Sequence, residues 1–261
     1  MKFEKKSLTI IGIIIFFLVA FFLFAYKSMG KTSEFKVVDE SKRIEEARDY
    51  GDDVTGWLRL EGTNIDLPLI ARNNVADVGR RDYEYAWTNS FPDDNSNHFT
   101  YISHNVRNVS SKPIVGDDTM TYFEQLMSFI YPEFIKENQF VEFTNSSGET
   151  SIYRIYGVSL VDETQSMSYY DTFTKDELNK YIQKVKKESM YDMDVEVNSD
   201  DLILTLYTCT RFYGLGGTYS FRVDARKLRE GEKMRYSKVE VNDNYKKIDV
   251  KMKEGDSDEE V

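Results

Sequence analysis

A single cysteine, Cys209, stands in 261 residues, so no disulfide forms within the chain and a bridge-stapled fold is excluded. Histidine is almost as scarce. Only His98 and His104 are present, so any chemistry that uses an imidazole must draw on one of these two. Positive charge is also short: 34 Lys and Arg against 45 Asp and Glu give a net charge of −11. That balance argues against a nucleic-acid partner, because phosphate binding needs a cationic face. No segment repeats at a fixed period. What the chain does have is apolar material, 41% hydrophobic and 14% aromatic. This suffices for one domain of roughly 200 residues with flanking segments.

Residues 7–25 are almost wholly apolar, about long enough to cross a hydrocarbon layer of ~30 Å as a helix. Lys2, Lys5 and Lys6 precede the run and favour a cytoplasmic N-terminus. The other reading is a cleaved signal peptide, but no clear small-x-small cleavage site follows. The expected arrangement is an uncleaved anchor with the remaining chain outside the cell. There, an unpaired cysteine reads either as a buried inert thiol or as a reactive one.

Residues 31–50 read as a polar stalk with a short surface helix. Alternation at Trp57-Leu58-Arg59-Leu60, a turn at Gly62-Thr63-Asn64 and a second run from Ile65 to Ile70 predict a strand pair. Residues 73–97 read as a long loop and 99–103 as a short strand ending at His104. Residues 119–130 predict a helix, because Met120, Phe123, Leu126 and Met127 recur at helical spacing. Strands are expected at 140–143, 151–161, 195–197, 202–209 and 219–225. Thr174 followed three residues later by Glu177 is a capping box, and Leu178, Tyr181, Ile182 and Val185 continue on one helical face. Residues from 227 onward are charged and read as a loosely attached tail. Many short strands with a few interposed helices point to a mixed barrel or sandwich.

The run from Leu202 to Cys209 is the centre of the reading. Leu202, Ile203, Leu204 and Leu206 make a buried strand, and Cys209 falls where it leaves the sheet. A cysteine nucleophile needs a partner that favours thiolate, a donor for the developing oxyanion and a cleft. Strand parity puts His98 and His104 on one face, so parity alone does not choose between them. His104 closes its strand as Cys209 does. Arg211 and Arg222 are the candidate cations. Asp192, Asp194 and Glu196 alternate and read as a solvated face rather than a cation site.

Thr205-Leu206-Tyr207-Thr208-Cys209 resembles the TLxTC signature of sortases, the membrane-anchored cysteine transpeptidases of Gram-positive bacteria. Val54-Thr55-Gly56-Trp57-Leu58, with Gly62 to Pro68, resembles the opening of the class B sortase domain. Tyr101-Ile102-Ser103-His104-Asn105 resembles its YxGHN segment, with Ser103 in place of the usual glycine. The resemblance implies a mainly β fold, a sortase-like closed barrel with an N-terminal helix and a helix before the catalytic strand, preceded by a single transmembrane helix. The implied organisation is 1–6 cytoplasmic, 7–25 anchor, 26–53 stalk and N-terminal helix, 54–227 catalytic domain and 228–261 charged, disordered tail.

The resemblance further implies that Cys209 attacks a sorting signal of a secreted protein and forms a thioacyl enzyme that an amine resolves. His104 is then the acid or base and Arg222 the substrate and oxyanion stabiliser. Leu206, Thr208 and Asn105 line the groove, and no metal or other cofactor is required. Partners are secreted proteins with a sorting signal, and an amine of peptidoglycan precursor or of a pilin. A catalytically idle, membrane-anchored binding module is the alternative from another class. Anchoring the closing segment on Ala225-Arg226 puts the family's usual arginine position at Ser220, two residues before Arg222.

Overall fold

The computed structural model describes residues 13–21, 30–38, 42–71, 84–89, 91–93, 95–105, 112–116, 121–162, 172–210 and 219–245. Eight strands close into a barrel. The first two are β1 (Val54–Leu60) and β2 (Asp66–Ala71), joined at Gly62. Gly62 has φ 73° and a Cβ there would lie 2.1 Å from Oδ1 of Asn138, so the turn demands glycine. Then come β3 (Ala86–Thr88) and β4 (His98–Ser103), followed by β5 (Phe140–Asn145) and β6 (Thr150–Asp162). Outside the barrel β7 (Tyr191–Met193) pairs with β10 (Val239–Val241). The last two barrel strands are β8 (Ile203–Cys209) and β9 (Tyr219–Lys227). Round the barrel the order is β1, β2, β3, β4, β8, β9, β6, β5.

The sequence alternates along these strands as a closed sheet requires, with one face filling the interior. Leu58, Leu67, Tyr101, Leu204, Leu206 and Val223 lie in that interior core. The other face is covered in two places. Helix α1 (Arg43–Ala47) sets Ile44 and Ala47 against Val54, Trp57, Ile70 and Trp87. Helix α2 (Pro132–Glu137) begins at a proline, which suits a first helical turn. Helix α3 (Lys175–Glu188) packs Leu178, Tyr181, Ile182 and Val185 against Tyr156 and Ile203. Its capping box is present as expected, with Thr174 and Glu177 satisfying each other's backbone N–H. Gly157 lets α3 come close, because a Cβ there would lie 2.4 Å from Val185 Cγ1.

Several expectations change. Residues Tyr122–Ile130 form a 3₁₀ helix, and Phe123 to Phe129 are all buried rather than sided. Strand β3 lies in the stretch read as loop. It has three residues, held by parallel pairing to β2, with Trp87 opposite Ile102 of β4. The short strand expected at 195–197 lies instead at Tyr191–Met193.

The tail is corrected too. Residues 228–245 are bound to the barrel, because their charges and tyrosine find partners there. Arg226 pairs with Glu232, Arg229 with Asp201, and Tyr236 donates to Glu61 at 2.7 Å. Thr32 of the stalk bridges to Arg235, so the two flanks lie together. Residues 246–261 lie outside the described residues. Of the apolar run, residues 13–21 are helical. Among the described residues no helix is long and apolar enough to cross a membrane.

Candidate active site

The parallel pairing of β4 with β8 does the assembling. His98 pairs with Ile203, and each following residue keeps step to Ser103 opposite Thr208. Continued one residue past that pair, the same register runs His104 toward Cys209. The two residues lie at the same end of neighbouring strands, which are about 4.8 Å apart. Thr208 Oγ1 donates to the Ser103 carbonyl at 2.9 Å and fixes this seam from the opposite face. Cys209 is exposed. Its strand below is buried, so a rigid element presents the thiol to solvent.

His104 is half-buried. Its ring lies 5.0 Å from that of Trp87, tilted by 51°. Thr121 Oγ1 donates to the His104 carbonyl at 2.7 Å, which holds the backbone where the strand ends. Asn105 follows, also half-buried.

His98, on the same face as His104, is wholly buried between Phe173 and Tyr181, with ring centroids 5.2 and 4.7 Å away. Its Nε2 lies 2.9 Å from Thr205 Oγ1, and that hydroxyl donates to Asp224 Oδ1 at 2.7 Å. With its proton given to the carboxylate, Thr205 accepts from His98, which fixes the Nε2–H tautomer. His98 is thereby a structural histidine.

Arg222 lies in the same buried network. It is 1% exposed, pairs across the strands with Tyr207, and stands two positions along β9 from Ser220, the partner of Cys209. Its Nε donates to Asp224 Oδ2 at 2.7 Å. One terminal nitrogen donates to Glu188 at 3.1 Å and to Ser159 Oγ at 3.4 Å. Tyr181 caps the cluster, donating to Asp224 at 2.7 Å with its ring 6.0 Å from the guanidinium carbon. Burial alone would lower the Arg222 pKa, but Asp224 foremost, with Tyr181, Tyr207 and Glu188, holds it well above the ordinary value. Burial followed by the Asp224 charge likewise pushes Tyr181 well up, so it stays a neutral donor.

Two of the residues expected to line a groove face inward. Leu206 lies in the barrel core, and Thr208 is fully buried on the Ser103 carbonyl. Both sit on the strand face opposite Cys209, so neither is offered to a ligand beside the thiol. Arg211 lies outside the described residues. Asp192, Asp194 and Glu196 are largely open to solvent, as a solvated face should be. Among the described residues no group of three His, Cys, Asp or Glu side chains is placed to hold a metal ion. The sequence reading gave no role to Ser220, which is the direct cross-strand partner of Cys209. Counting back along the closing segment from Ala225-Arg226 reaches Ser220 in the sequence alone, as the position where the resembled family usually has arginine.

No family model matches the chain. Sortase B of Staphylococcus aureus is 28% identical over 165 residues, covering 62% of this chain and 65% of that protein. Sortase B of Listeria monocytogenes is 27% identical over 171 residues, covering 60% and 63%. The chain thus spans a little under two thirds of the length of these curated relatives. Among solved structures, Clostridium perfringens sortase B superposes with a TM-score of 0.58 at 23% identity, covering 71% of this chain and 99% of that one.

Proposed function

We propose that this chain, which belongs to the sortase B family, is a cysteine transpeptidase that cleaves a sorting signal and passes the acyl group to an amine. The observation that carries the reading is the β4–β8 register, which runs His104 toward the exposed thiol of Cys209. The Cys209 thiolate adds to the scissile carbonyl carbon, and the carbonyl π pair moves to oxygen. His104 then gives a proton to the departing amine nitrogen as the C–N bond breaks, leaving a thioester. An acceptor amine adds to that carbonyl, yields its proton to His104, and the thiolate leaves.

A solved structure of S. aureus sortase B holds its substrate, and another sortase B structure holds a triglycine. These support a secreted protein with a sorting signal as acyl donor and an oligoglycine-like amine of peptidoglycan as acceptor. A pilin lysine would serve the same chemistry. The apolar run 7–25 supports an anchor that leaves the barrel outside the membrane. Asn105, beside His104, is the remaining candidate for holding the substrate. Arg222 acts as a pin between β9 and α3, since its ion pairs draw it toward Asp224 and away from the thiol.

The test is mass spectrometry of a sorting-signal peptide library mixed with amine acceptors. Wild-type protein yields ligated products and a trapped thioester. Cys209→Ala yields neither while keeping the fold by circular dichroism. Full ligation by that variant would remove Cys209 from the mechanism.

A further inference from the structure

His104 stands one residue past the end of β4, where strand pairing no longer sets its direction. An imidazole there has several staggered χ1 wells to choose from. One wall limits the choice. The ring of Trp87 lies 5.0 Å from that of His104, tilted by 51°. Trp87 is itself held on several sides. Tyr50 meets Tyr85 at 6.1 Å and Tyr85 meets Trp87 at 6.3 Å, both edge to face. These are favoured spacings for aromatic pairs, so a row of rings runs from the chain just after α1 to the imidazole. Behind the row, Ile44 and Ala47 of α1 share one cluster with Trp57 and Trp87. From the side, Ser103 Oγ donates to the Tyr85 carbonyl at 2.8 Å, which ties the approach to β3 to the residue before His104. Trp87 is 3% exposed, and among the described residues its Nε1 has no hydrogen-bond partner. A buried N–H without an acceptor costs free energy that leucine or phenylalanine would avoid. What the indole offers here is the breadth of its face.

We propose that Trp87 is a positioning residue for transpeptidation, whose indole face confines the His104 imidazole to the orientation that serves Cys209. This rests on the transpeptidase reading above. Trp87 is buried and is not offered to substrate, so it acts through His104. That imidazole gives a proton to the amine nitrogen as the C–N bond breaks, and takes one from the acceptor amine as the new C–N bond forms. Both transfers need the ring within hydrogen-bond reach of the nitrogen, about 2.6–3.2 Å. An imidazole free to turn would spend much of its time out of reach, and a displacement of about 1 Å can cost 10²-fold in rate.

The test measures thioester formation from a sorting-signal peptide by variants of the purified full-length chain. Trp87→Leu keeps an apolar side chain but removes the ring, and should lower kcat about 10–100-fold with KM within about threefold. Trp87→Phe keeps a smaller ring and should lose only about two- to fivefold in kcat. In a His104→Ala background either substitution should change the residual rate by less than about twofold, because the group it acts through is gone. Trp57→Leu is the control. Trp57 shares the cluster, so this variant should lose stability while keeping kcat within about threefold. A folded Trp87→Leu with wild-type kcat would overturn the proposal. So would an equal loss with and without His104, which would mark Trp87 as a packing residue. Should Trp87→Leu fail to fold, Trp87→Phe carries the same comparison. A decrease confined to chains that retain His104 supports the proposal, and no decrease overturns it. Wild-type protein that is alkylated at Cys209 by iodoacetamide but forms no thioester with any peptide would defeat the transpeptidase reading itself, and the role of Trp87 with it.

Discussion

Replacing Asp224 by asparagine should separate a structural arginine from a catalytic one. Asp224 is fully buried and is the main counter-charge of Arg222, itself buried. Removing one member of a buried ion pair costs about 3–5 kcal/mol, because the other charge is left without compensation. Two features pull Asp224→Asn toward the lower end. Glu188, whose side chain is 35% exposed, still faces the guanidinium. The retained amide oxygen can still accept from Thr205 and Tyr181, which now meet Oδ1 at 2.7 Å each. We expect a loss of about 3 kcal/mol, out of a total stability on the order of 5–15 kcal/mol. Arg222→Met should cost a similar amount. The double variant should cost about 2 kcal/mol less than the sum, since it strands neither charge. Urea titration with an unchanged m-value is the assay. The reasoning is refuted if Arg222→Met unfolds within about 0.5 kcal/mol of wild type yet loses thioester formation. That outcome would make the guanidinium a group that acts on substrate.

Two further outcomes follow from other parts of the barrel. Burial alone would raise the Glu232 pKa, but bonds from Arg226 and the Arg229 N–H, with the Arg226 and Arg154 charges, hold it at about 2 instead of 4.5. A depressed carboxyl stabilises the fold above its unfolded pKa. That contribution, at most about 3 kcal/mol for this partly exposed side chain, should fade as pH falls from about 4.5 toward 2. Glu232→Gln should lower the urea midpoint at pH 6 and match wild type near pH 2, and equal sensitivity at both values would contradict the assignment. Gly157→Ala should cost about 1–3 kcal/mol by pushing α3 off β6 at Val185. An unchanged melting curve would show that the helix does not press on the strand at Gly157.

Strand β8 was legible because its apolar run is long enough to be buried and stops at a polar residue type that strands do not need. The α3 start was legible from Thr174 and Glu177, since a capping box is local chemistry. Strand β3 was not, because three residues in a polar stretch pair only with Leu69, Ile70 and Ala71 of β2 and Ile102 of β4, which tertiary closure supplies. The seating of Arg222 was hidden for the same reason. Parity gives its face, but nothing local says that Tyr181 and Glu188 of a helix cover that face. Leu206 and Thr208 are different. They differ from Cys209 by odd numbers of residues, so period two already sends them inward, and the motif likeness outweighed that signal. The segment 228–245 was misjudged because its charges were counted as solvated, whereas Glu232 pairs with Arg226 of β9 and Arg229 with the buried Asp201.

The parallel seam between β4 and β8 has a consequence for when the protein becomes reactive. Ser103 and Thr208, which zip that seam, are 105 residues apart in the chain, and such a contact forms only after a large loop-closure cost has been met. An unfolded chain thus carries a thiol with no imidazole near it. Reactivity arrives with ring closure of the sheet, so the fold itself times the switching-on of its own sulfur.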